Sequence, residues 1–279
     1  MRGNTITKGM AGPLLMAGTR KRRHRNVVSK LAAPDSPLVA ALHPSPNFGE
    51  RLNGAKPTIL LMHYTGMSSA WKAIEWLAQP ESGVSCHYVV DETGSITQMV
   101  SEQARAWHAG RSFWQGETDI NSCSIGIEIQ NPGHEDGYRD FPAAQMAAVL
   151  ALSRDIVARH EIPRQRVLAH SDIAPARKID PGEKFDWAFL AKNGVGHWVA
   201  PKSVDPCDPG LSNGSDAPEV LKMQELLGRY GFCVETTGVL DEPTAFAVRA
   251  FQLHFRPQRI DGRIDRSTVT TLERLIETL

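Results

Sequence analysis

The sequence is poor in cysteine and contains no long apolar run. Its 279 residues include four cysteines with no CxxC pair, so a cysteine zinc cluster is not expected. Four cysteines are also too few for a disulfide scaffold of this length. No run of about 18 apolar residues occurs, so we predict no transmembrane segment. An apolar content of 41% then indicates an ordinary globular core.

A net charge of one sign is also missing. The 31 Lys and Arg residues balance the 31 Asp and Glu residues, but residues 1–30 contain eight basic residues and no acid. The rest of the chain is therefore acidic, and it lacks the basic composition that nucleic-acid binding requires, so no nucleic-acid partner is expected. The weakly apolar stretch Gly9–Gly18 precedes the basic cluster, whereas a secretory signal has the reverse order.

Composition divides the chain into four parts. Residues 1–55 are rich in Pro, Gly, Ser and Arg without sustained periodicity, and we predict a flexible segment over 1–40. A first domain is expected over 41–200. A stretch rich in Pro, Gly, Ser and Asp predicts a linker over 201–215, and a compact helical domain is expected over 216–279.

The first domain alternates strand-like and helix-like patterns. Strands are predicted at Thr58–Met62, Cys86–Val90, Ser95–Val100, Ser124–Gln130 and Val167–Leu168. Helices are predicted at Ala70–Ala78, Pro142–His160 and Trp187–Lys192. This order indicates an α/β fold, with a mixed central sheet flanked by helices.

The C-terminal part reads as three helices, at Val220–Tyr230, Ala245–Phe255 and Ser267–Ile276. A short repeat precedes the second and third helices. In each copy an aspartate, Asp241 or Asp265, stands where its carboxylate can accept a hydrogen bond from the first free N–H groups of the helix.

Residues suited to metal chemistry stand at or near the ends of predicted strands: His63, Glu128, His170, Lys178 and Asp180. Two histidines and an aspartate would hold a zinc ion and leave a fourth position for water. Glu128 lies in an apolar strand, where an unpaired carboxylate is costly, so it is a candidate general base. Taken singly, each residue also has an ordinary structural explanation. Spacing alone does not decide between a metal site and these structural explanations, because no HExxH motif is present.

The sequence around these residues contains motifs that resemble those of a known family. Five motifs occur in order: LMHYT at Leu61–Thr65, CHYVV at Cys86–Val90, AWHAG at Ala106–Gly110, SIGIEI at Ser124–Ile129 and AHSDIAPARKIDPG at Ala169–Gly182. Together they resemble the type 2 N-acetylmuramoyl-L-alanine amidase family, in its AmpD/AmiD branch. That family is related in fold to the peptidoglycan recognition proteins.

The resemblance implies a cofactor and a set of roles. The family's zinc ligands fall on His63, His170 and Asp180, its general base on Glu128, and its oxyanion-stabilising lysine on Lys178. Residues of the family's substrate groove fall on Tyr64, His87, Trp107, His108 and Arg177. His87 could instead orient the site without touching substrate. The implied activity is hydrolysis of the amide between N-acetylmuramic acid and L-alanine.

The C-terminal helices resemble a peptidoglycan-binding type 1 domain, through motifs such as VLKMQELL at Val220–Leu227 and DGRID at Asp261–Asp265. This resemblance implies a peptidoglycan or muropeptide partner. A module that only packs against the catalytic domain is the alternative, because most of the matching residues are helix caps and core.

Two rival functions and the compartment stay open. A recognition module would keep the groove without cutting, and a zinc peptidase would cut within the stem peptide by the same metal chemistry. The extra domain favours a polymeric substrate in the cell envelope or periplasm, because a tethered second site raises the effective concentration of a repeating ligand. The missing signal pattern favours the cytoplasm, where small anhydro-muropeptides would be the substrate.

Overall fold

The computed structural model of the protein describes residues 31–279. The flexible segment that we predicted over 1–40 lies mostly outside the described residues. In chain order the strands are β1 (Ala41–Leu42), β2 (Phe48–Glu50), β3 (Ile59–Tyr64), β4 (Tyr88–Val90), β5 (Ile96–Gln98), β6 (Ala104–Ala106), β7 (Ser124–Ile129) and β8 (Val167–Ala169). Short 3-10 turns occur at Leu52–Gly54, Pro80–Ser82 and Arg164–Arg166.

The helices of the first domain are α1 (Ala70–Leu77), α2 (Ile120–Cys123), α3 (Ala143–His160), α4 (His170–Ile173) and α5 (Trp187–Lys192). The helices of the C-terminal domain are α6 (Pro218–Tyr230), α7 (Glu242–Phe255) and α8 (Arg266–Glu277). Among residues 31–279, none of these helices combines the length and apolarity needed to cross a bilayer.

A mixed sheet organises the first domain, in the strand order β1-β5-β4-β7-β3-β8. β3 pairs in parallel with β7 on one side and with β8 on the other, while β4 and β5 form an antiparallel pair. The central strands are buried on both faces, which explains why their sequences are almost continuously apolar. The predicted fold class is confirmed, and the neighbouring parallel strands β7, β3 and β8 end at one edge of the sheet.

Local sequence explains where α1 and the C-terminal helices begin. The Ser69 hydroxyl accepts a hydrogen bond from the backbone N–H of Lys72 and caps α1. Asp241 accepts from the N–H of Thr244 at 2.9 Å, and Asp265 accepts from the N–H of Thr268 at 2.6 Å. Both aspartates of the repeat therefore cap helices, as we predicted.

Residues 41–50 are more ordered than their composition indicated. β1 pairs in parallel with β5, and β2 pairs antiparallel with β6. The sequence patterns did not predict β1, β2 or β6. These strands have two or three residues each, too few for periodicity to be visible. Within the predicted linker, the backbone of Leu211 pairs with that of Ile264.

The two domains share a hydrophobic core. Trp114 of the first domain is fully buried and packs edge-on against Tyr230 and Phe232 of the C-terminal domain. A Cβ atom at Gly231 would lie 2.6 Å from the Trp114 ring, so this position needs glycine. α7 of the C-terminal domain also packs against α4 of the first domain.

Candidate metal centre and active site

Three buried side chains converge at the edge where the parallel strands end. His63 is the penultimate residue of β3, and His170 is the first residue of α4, directly after β8. Asp180 lies in the following loop, where its backbone carbonyl accepts a hydrogen bond from the N–H of Ser171 at 3.1 Å. Because β3 and β8 are adjacent, two residues 107 positions apart come into contact.

The distances between the donor atoms fit a tetrahedral metal ion. The Nδ1 atoms of His63 and His170 are 2.9 Å apart, and Oδ2 of Asp180 lies 3.1 Å and 3.0 Å from them. Zinc bonds of about 2.0–2.1 Å would place tetrahedral ligands about 3.3 Å apart. The observed triangle is within a few tenths of an ångström of that size, and its N₂O donor set suits zinc.

The hydrogen bond of His170 leaves its Nδ1 free for a metal. Its Nε2 lies 3.1 Å from the carbonyl oxygen of Ala109, which can only accept, so Nε2 carries the proton. In the neutral tautomer that this bond selects, Nδ1, the atom that faces His63 and Asp180, keeps its lone pair. A ligand histidine held through its second nitrogen in this way is the usual arrangement at metal sites.

A longer chain of hydrogen bonds gives His63 the same tautomer. The Ser124 hydroxyl donates to the carbonyl of Ile120 at 2.6 Å, so its oxygen accepts from Nε2 of His108 at 3.2 Å. Nδ1 of His108 is then an acceptor, and it accepts a hydrogen bond from the N–H at Nε2 of His63 at 3.0 Å. The backbone carbonyl at the end of this chain fixes every donor direction and leaves Nδ1 of His63 free.

Burial and neighbouring groups keep the ligands in their binding forms. Burial, with the nearby His170 imidazole, lowers the pKa of His63 to about 4, so this ring is neutral at pH 7. Burial alone would raise the pKa of Asp180, but the imidazoles of His170 and His63 outweigh it and hold that pKa below its usual range. The site therefore presents a neutral His63 imidazole and an Asp180 carboxylate, the forms that metal ions bind.

Glu128 stands beside this centre on the neighbouring strand. In the parallel pairing of β3 and β7 it is the direct partner of His63. Its Oε2 is buried with no hydrogen-bond partner among residues 31–279. Burial, with the nearby Asp180 charge, raises the pKa of Glu128 well above its ordinary value. An unpaired buried carboxylate is costly, so its position indicates a functional role.

Lys178 lines the same groove, two residues before Asp180. In the described part of the chain, its ammonium makes no hydrogen bond or ion pair with another side chain. Its backbone N–H donates to the carbonyl of Ala174 at 3.1 Å, which fixes the start of the side chain. A cation in this position is available to an anionic group that enters the groove.

The candidate metal centre lies in an open groove with a volume of about 490 Å³. Of the five residues that we predicted to bind substrate, Tyr64, Trp107, His108 and Arg177 line it. His87 does not line it. This residue is fully buried, and its Nδ1 accepts from the backbone N–H of Gly126 at 3.0 Å while its Nε2 lies 3.2 Å from the Arg51 guanidinium.

Two of the lining residues have structural partners as well. His108 contacts His63, as described above. The Arg177 guanidinium donates to the carbonyl of Ala109 at 2.7 Å and to that of Arg111 at 2.7 Å. It thereby holds the loop whose Ala109 carbonyl orients His170.

Sequence reasoning missed several contributors to the site, among them Ser124 and Trp76. Ser124 completes the hydrogen-bond chain behind His63, yet in the sequence it is an ordinary serine at a strand start. Trp76 is 48% exposed and lines the groove from α1. The signal for Trp76 was present, because a large aromatic on the polar side of an amphipathic helix is unusual in a helix that serves only to pack.

These features define a class of protein. Three converging ligands, an adjacent unpaired carboxylate and a free lysine in an open groove are the arrangement of a metal-dependent hydrolase. Residues 53–183 match the N-acetylmuramoyl-L-alanine amidase family model, and residues 216–272 match that of a putative peptidoglycan binding domain.

Individual relatives of the chain are amidases of this family. The chain is 36% identical over 231 residues to the N-acetylmuramoyl-L-alanine amidase AmiD of Escherichia coli, which covers 78% of this chain and 82% of AmiD. It is 33% identical over 162 residues to the 1,6-anhydro-N-acetylmuramyl-L-alanine amidase AmpD of the same organism, covering 52% of this chain and 86% of AmpD.

Solved structures show the same likeness. A complex of Escherichia coli AmiD with anhydro-N-acetylmuramic acid-L-Ala-D-gamma-Glu-L-Lys superposes with a TM-score of 0.67 at 33% identity, covering 83% of this chain and 98% of AmiD. AmpDh3 of Pseudomonas aeruginosa superposes with a TM-score of 0.68 at 29% identity, covering 81% and 94%. The chain belongs to the N-acetylmuramoyl-L-alanine amidase family, and it is an enzyme of that class.

Proposed function

We propose that the protein is a zinc-dependent amidase that hydrolyses the bond between N-acetylmuramic acid and L-alanine in peptidoglycan or muropeptides. The observation that carries this proposal is the triangle of donor atoms from His63, His170 and Asp180. The unpaired oxygen of Glu128, on the strand next to His63, supports it.

Each chemical task has a residue in the groove. Zinc held by the three ligands would supply a water of lowered pKa and a Lewis acid for the amide carbonyl. Glu128 accepts a proton from the attacking water and returns it to the departing amino group of L-alanine. The Lys178 ammonium stabilises the negative charge that develops on the carbonyl oxygen.

Side chains of two kinds line the groove, which fits a substrate that is half sugar and half peptide. The apolar and aromatic ones include Trp76, Leu77, Val84 and Trp107. We infer that the sugar packs against them, since the CH faces of a sugar ring suit an aromatic surface. The polar or charged ones include Tyr64, His134, Glu135, Asp136 and Arg177, and they suit the charged stem peptide.

We propose a polymeric substrate in the cell envelope or periplasm, with the cytoplasm as the alternative compartment. The match of residues 216–272 to a putative peptidoglycan binding domain supports this, because a second binding module is useful on a repeating polymer. The AmiD complex with a muropeptide supports small fragments as substrates too.

Mass spectrometry of the products tests the reaction. The purified, zinc-loaded protein is incubated with intact sacculi and, separately, with anhydro-muropeptides. Release of stem peptides with a free L-alanine amino group is expected, and Asp180→Ala should abolish it. Cleavage within the stem peptide would establish the peptidase instead, and binding without any product would establish a recognition module. The relative rates on the two substrates decide between polymer and fragment.

A further inference from the structure

A side chain of the C-terminal domain reaches the helix that carries a metal ligand. Nδ1 of His254, on α7, lies 2.7 Å from Oδ2 of Asp172, on α4. Both side chains are almost completely buried, with exposed fractions of 2% and 0%. A charged group with so little solvent depends on its protein partners, so this contact is more than incidental.

Asp172 in turn caps the N-terminal end of the short helix that begins with His170. The same Oδ2 atom accepts a hydrogen bond from the backbone N–H of Ala169 at 2.8 Å, directly before the ligand. Its other oxygen, Oδ1, is buried with no partner in the described range 31–279. The Asp172 carboxylate is therefore held by two groups, the imidazole of His254 and the Ala169 amide.

This turn determines the positions of two metal ligands. Besides presenting His170, it bonds to the loop of Asp180, because the Ser171 N–H donates to the Asp180 carbonyl. α4 has only four residues. A single helical turn is not stable by itself and depends on tertiary contacts for its geometry.

The imidazole of His254 is itself held in place. It stacks on the Trp187 ring, with centroids 3.8 Å apart and planes at 24°, and on Phe255 at 3.8 Å and 7°. Tilting the imidazole out of this plane would break both stacks, so the plane of the ring, and with it the plane of its hydrogen bond to Asp172, is fixed.

We propose that His254 is a positioning residue for the metal centre, which acts through Asp172 on the turn carrying His170. The C-terminal domain is then part of the metal site as well as a module for substrate. This inference rests on the proposed zinc site formed by His63, His170 and Asp180.

Zinc affinity, measured by competition with a chelator, tests the proposal in the full-length protein. His254→Phe keeps an aromatic ring between Trp187 and Phe255 but removes the donor. We expect its zinc Kd to rise about tenfold, the lower end of the usual effect of removing a group that orients a ligand. His254→Asn places an amide N–H where Nδ1 was, and it should restore most of the affinity.

Tyr230→Phe is the matched control. It removes another buried hydrogen bond between the domains, from the Tyr230 hydroxyl to Nδ1 of His197 at 3.1 Å, which does not reach α4. It should leave the zinc Kd within about twofold of wild type, even where it lowers Tm, because the ring that packs on Phe255 is kept and the lost hydroxyl bonds to no group that orients a ligand. The absorption spectrum of the cobalt-substituted protein gives a second readout, which should change with His254→Phe alone.

The outcomes separate two failures. If the wild-type protein binds no zinc through the three ligands, the proposed function fails. If wild type binds zinc and both His254→Phe and Tyr230→Phe keep that affinity, His254 only joins the domains and the inference is wrong. Should His254→Phe not fold, His254→Gln, whose donor lies one bond further from the backbone, replaces it in the comparison with His254→Asn.

Discussion

Two buried polar side chains, one from each domain, are used in opposite ways. In the C-terminal domain Gln224 is saturated: the two N–H groups of its amide are shared among the Thr237 hydroxyl, the Val239 carbonyl and the Thr244 hydroxyl, and its oxygen accepts from the N–H of Gly238. In the first domain Oε2 of Glu128 has no partner in the described chain, and three ligand atoms face one another at about the spacing of a metal ion's ligands.

The difference between a saturated and an unpaired buried group distinguishes side chains that stabilise the fold from side chains that serve function. A saturated buried group contributes to the free energy of folding and to a unique structure. A buried group without its partner lowers stability, and it is retained where a ligand or substrate supplies the missing interaction. Substitutions should therefore damage stability in one region and chemistry in the other.

The largest effect is expected from Glu128→Gln. This change removes the proposed general base but keeps the size of the side chain, so kcat should fall by about 10²–10⁴-fold. Zinc content should stay at the wild-type level, and Tm should not fall, because a carboxyl group whose charged form is penalised by burial has been replaced by a neutral amide. Product release from anhydro-muropeptides, metal analysis and thermal unfolding measure the three quantities.

Glu117→Gln is the control for this experiment, since Glu117 is an exposed residue outside the groove. It should change none of the three quantities. A Glu128→Gln enzyme with wild-type kcat would remove Glu128 from the mechanism and leave its buried position unexplained.

The reverse pattern is expected from Gln224→Ala. Loss of this side chain leaves the Gly238 N–H and the buried acceptors without partners and opens a cavity. It should lower the free energy of unfolding by about 3 kcal/mol. The kcat of the remaining folded protein should match wild type. Urea unfolding and activity measured on the same sample test both statements. Glu225→Ala, at an exposed neighbour on α6, should change stability by less than about 0.5 kcal/mol.

Glu102 tests whether saturation, rather than membership of a domain, decides the outcome. This buried glutamate of the first domain bonds to Tyr88, Arg159 and His160. Burial alone would raise the pKa of Glu102, but these hydrogen bonds outweigh it and lower the pKa to about 2. A carboxyl with a depressed pKa stabilises the fold above its unfolded pKa of 4.5, and this contribution is lost as the pH falls towards 2.

Glu102→Gln should therefore lower the free energy of unfolding by about 2 kcal/mol at pH 7. The variant should also lose less stability than wild type between pH 4.5 and pH 2, because glutamine does not titrate. Chemical unfolding across this pH range measures both effects. Glu92→Gln breaks the exposed pair with Arg139 and should leave the pH profile unchanged. Parallel profiles for Glu102→Gln and wild type would show that the Glu102 network does not contribute as described.

The sequence predicted the parts of the molecule that local patterns encode. The longer helices, the longer strands and the caps at Asp241 and Asp265 follow from periodicity and from residues within one turn, whereas the four-residue helices α2 and α4 were not predicted. The three proposed ligands were found through motifs whose spacing is short, as in the segment from His170 to Asp180. The structure places these side chains together, as the motif required.

What the sequence did not reveal depends on pairings across the fold. Ser124 contacts His108 across 16 positions, and His254 contacts Asp172 across 82. Neither pair has a periodic signal, because each bond forms only when two separately folded elements pack. His87 shows the same limit, since its motif is shared with the family but burial keeps it out of the groove.

The smallest effect that we expect comes from Ser124→Ala, behind the metal centre. Without the hydroxyl, Nε2 of His108 loses its acceptor, and the His108 proton can move to Nδ1. It would then compete with the proton on Nε2 of His63, which favours the His63 tautomer with a proton on its metal-facing Nδ1. Zinc should bind about tenfold more weakly, as measured by competition with a chelator.

Ser153→Ala gives the matched control for this change. Ser153 is also a fully buried serine of the first domain, but its hydroxyl has no partner in the part of the chain that the structure describes. Its removal should leave zinc affinity unchanged and Tm equal or higher, because an unsatisfied hydroxyl is lost. Equal zinc affinities in Ser124→Ala and Ser153→Ala would mean that the chain through His108 does not set the tautomer of His63. Affinity lost in Ser124→Ala alone would extend the metal site, through His108, to the first residue of β7.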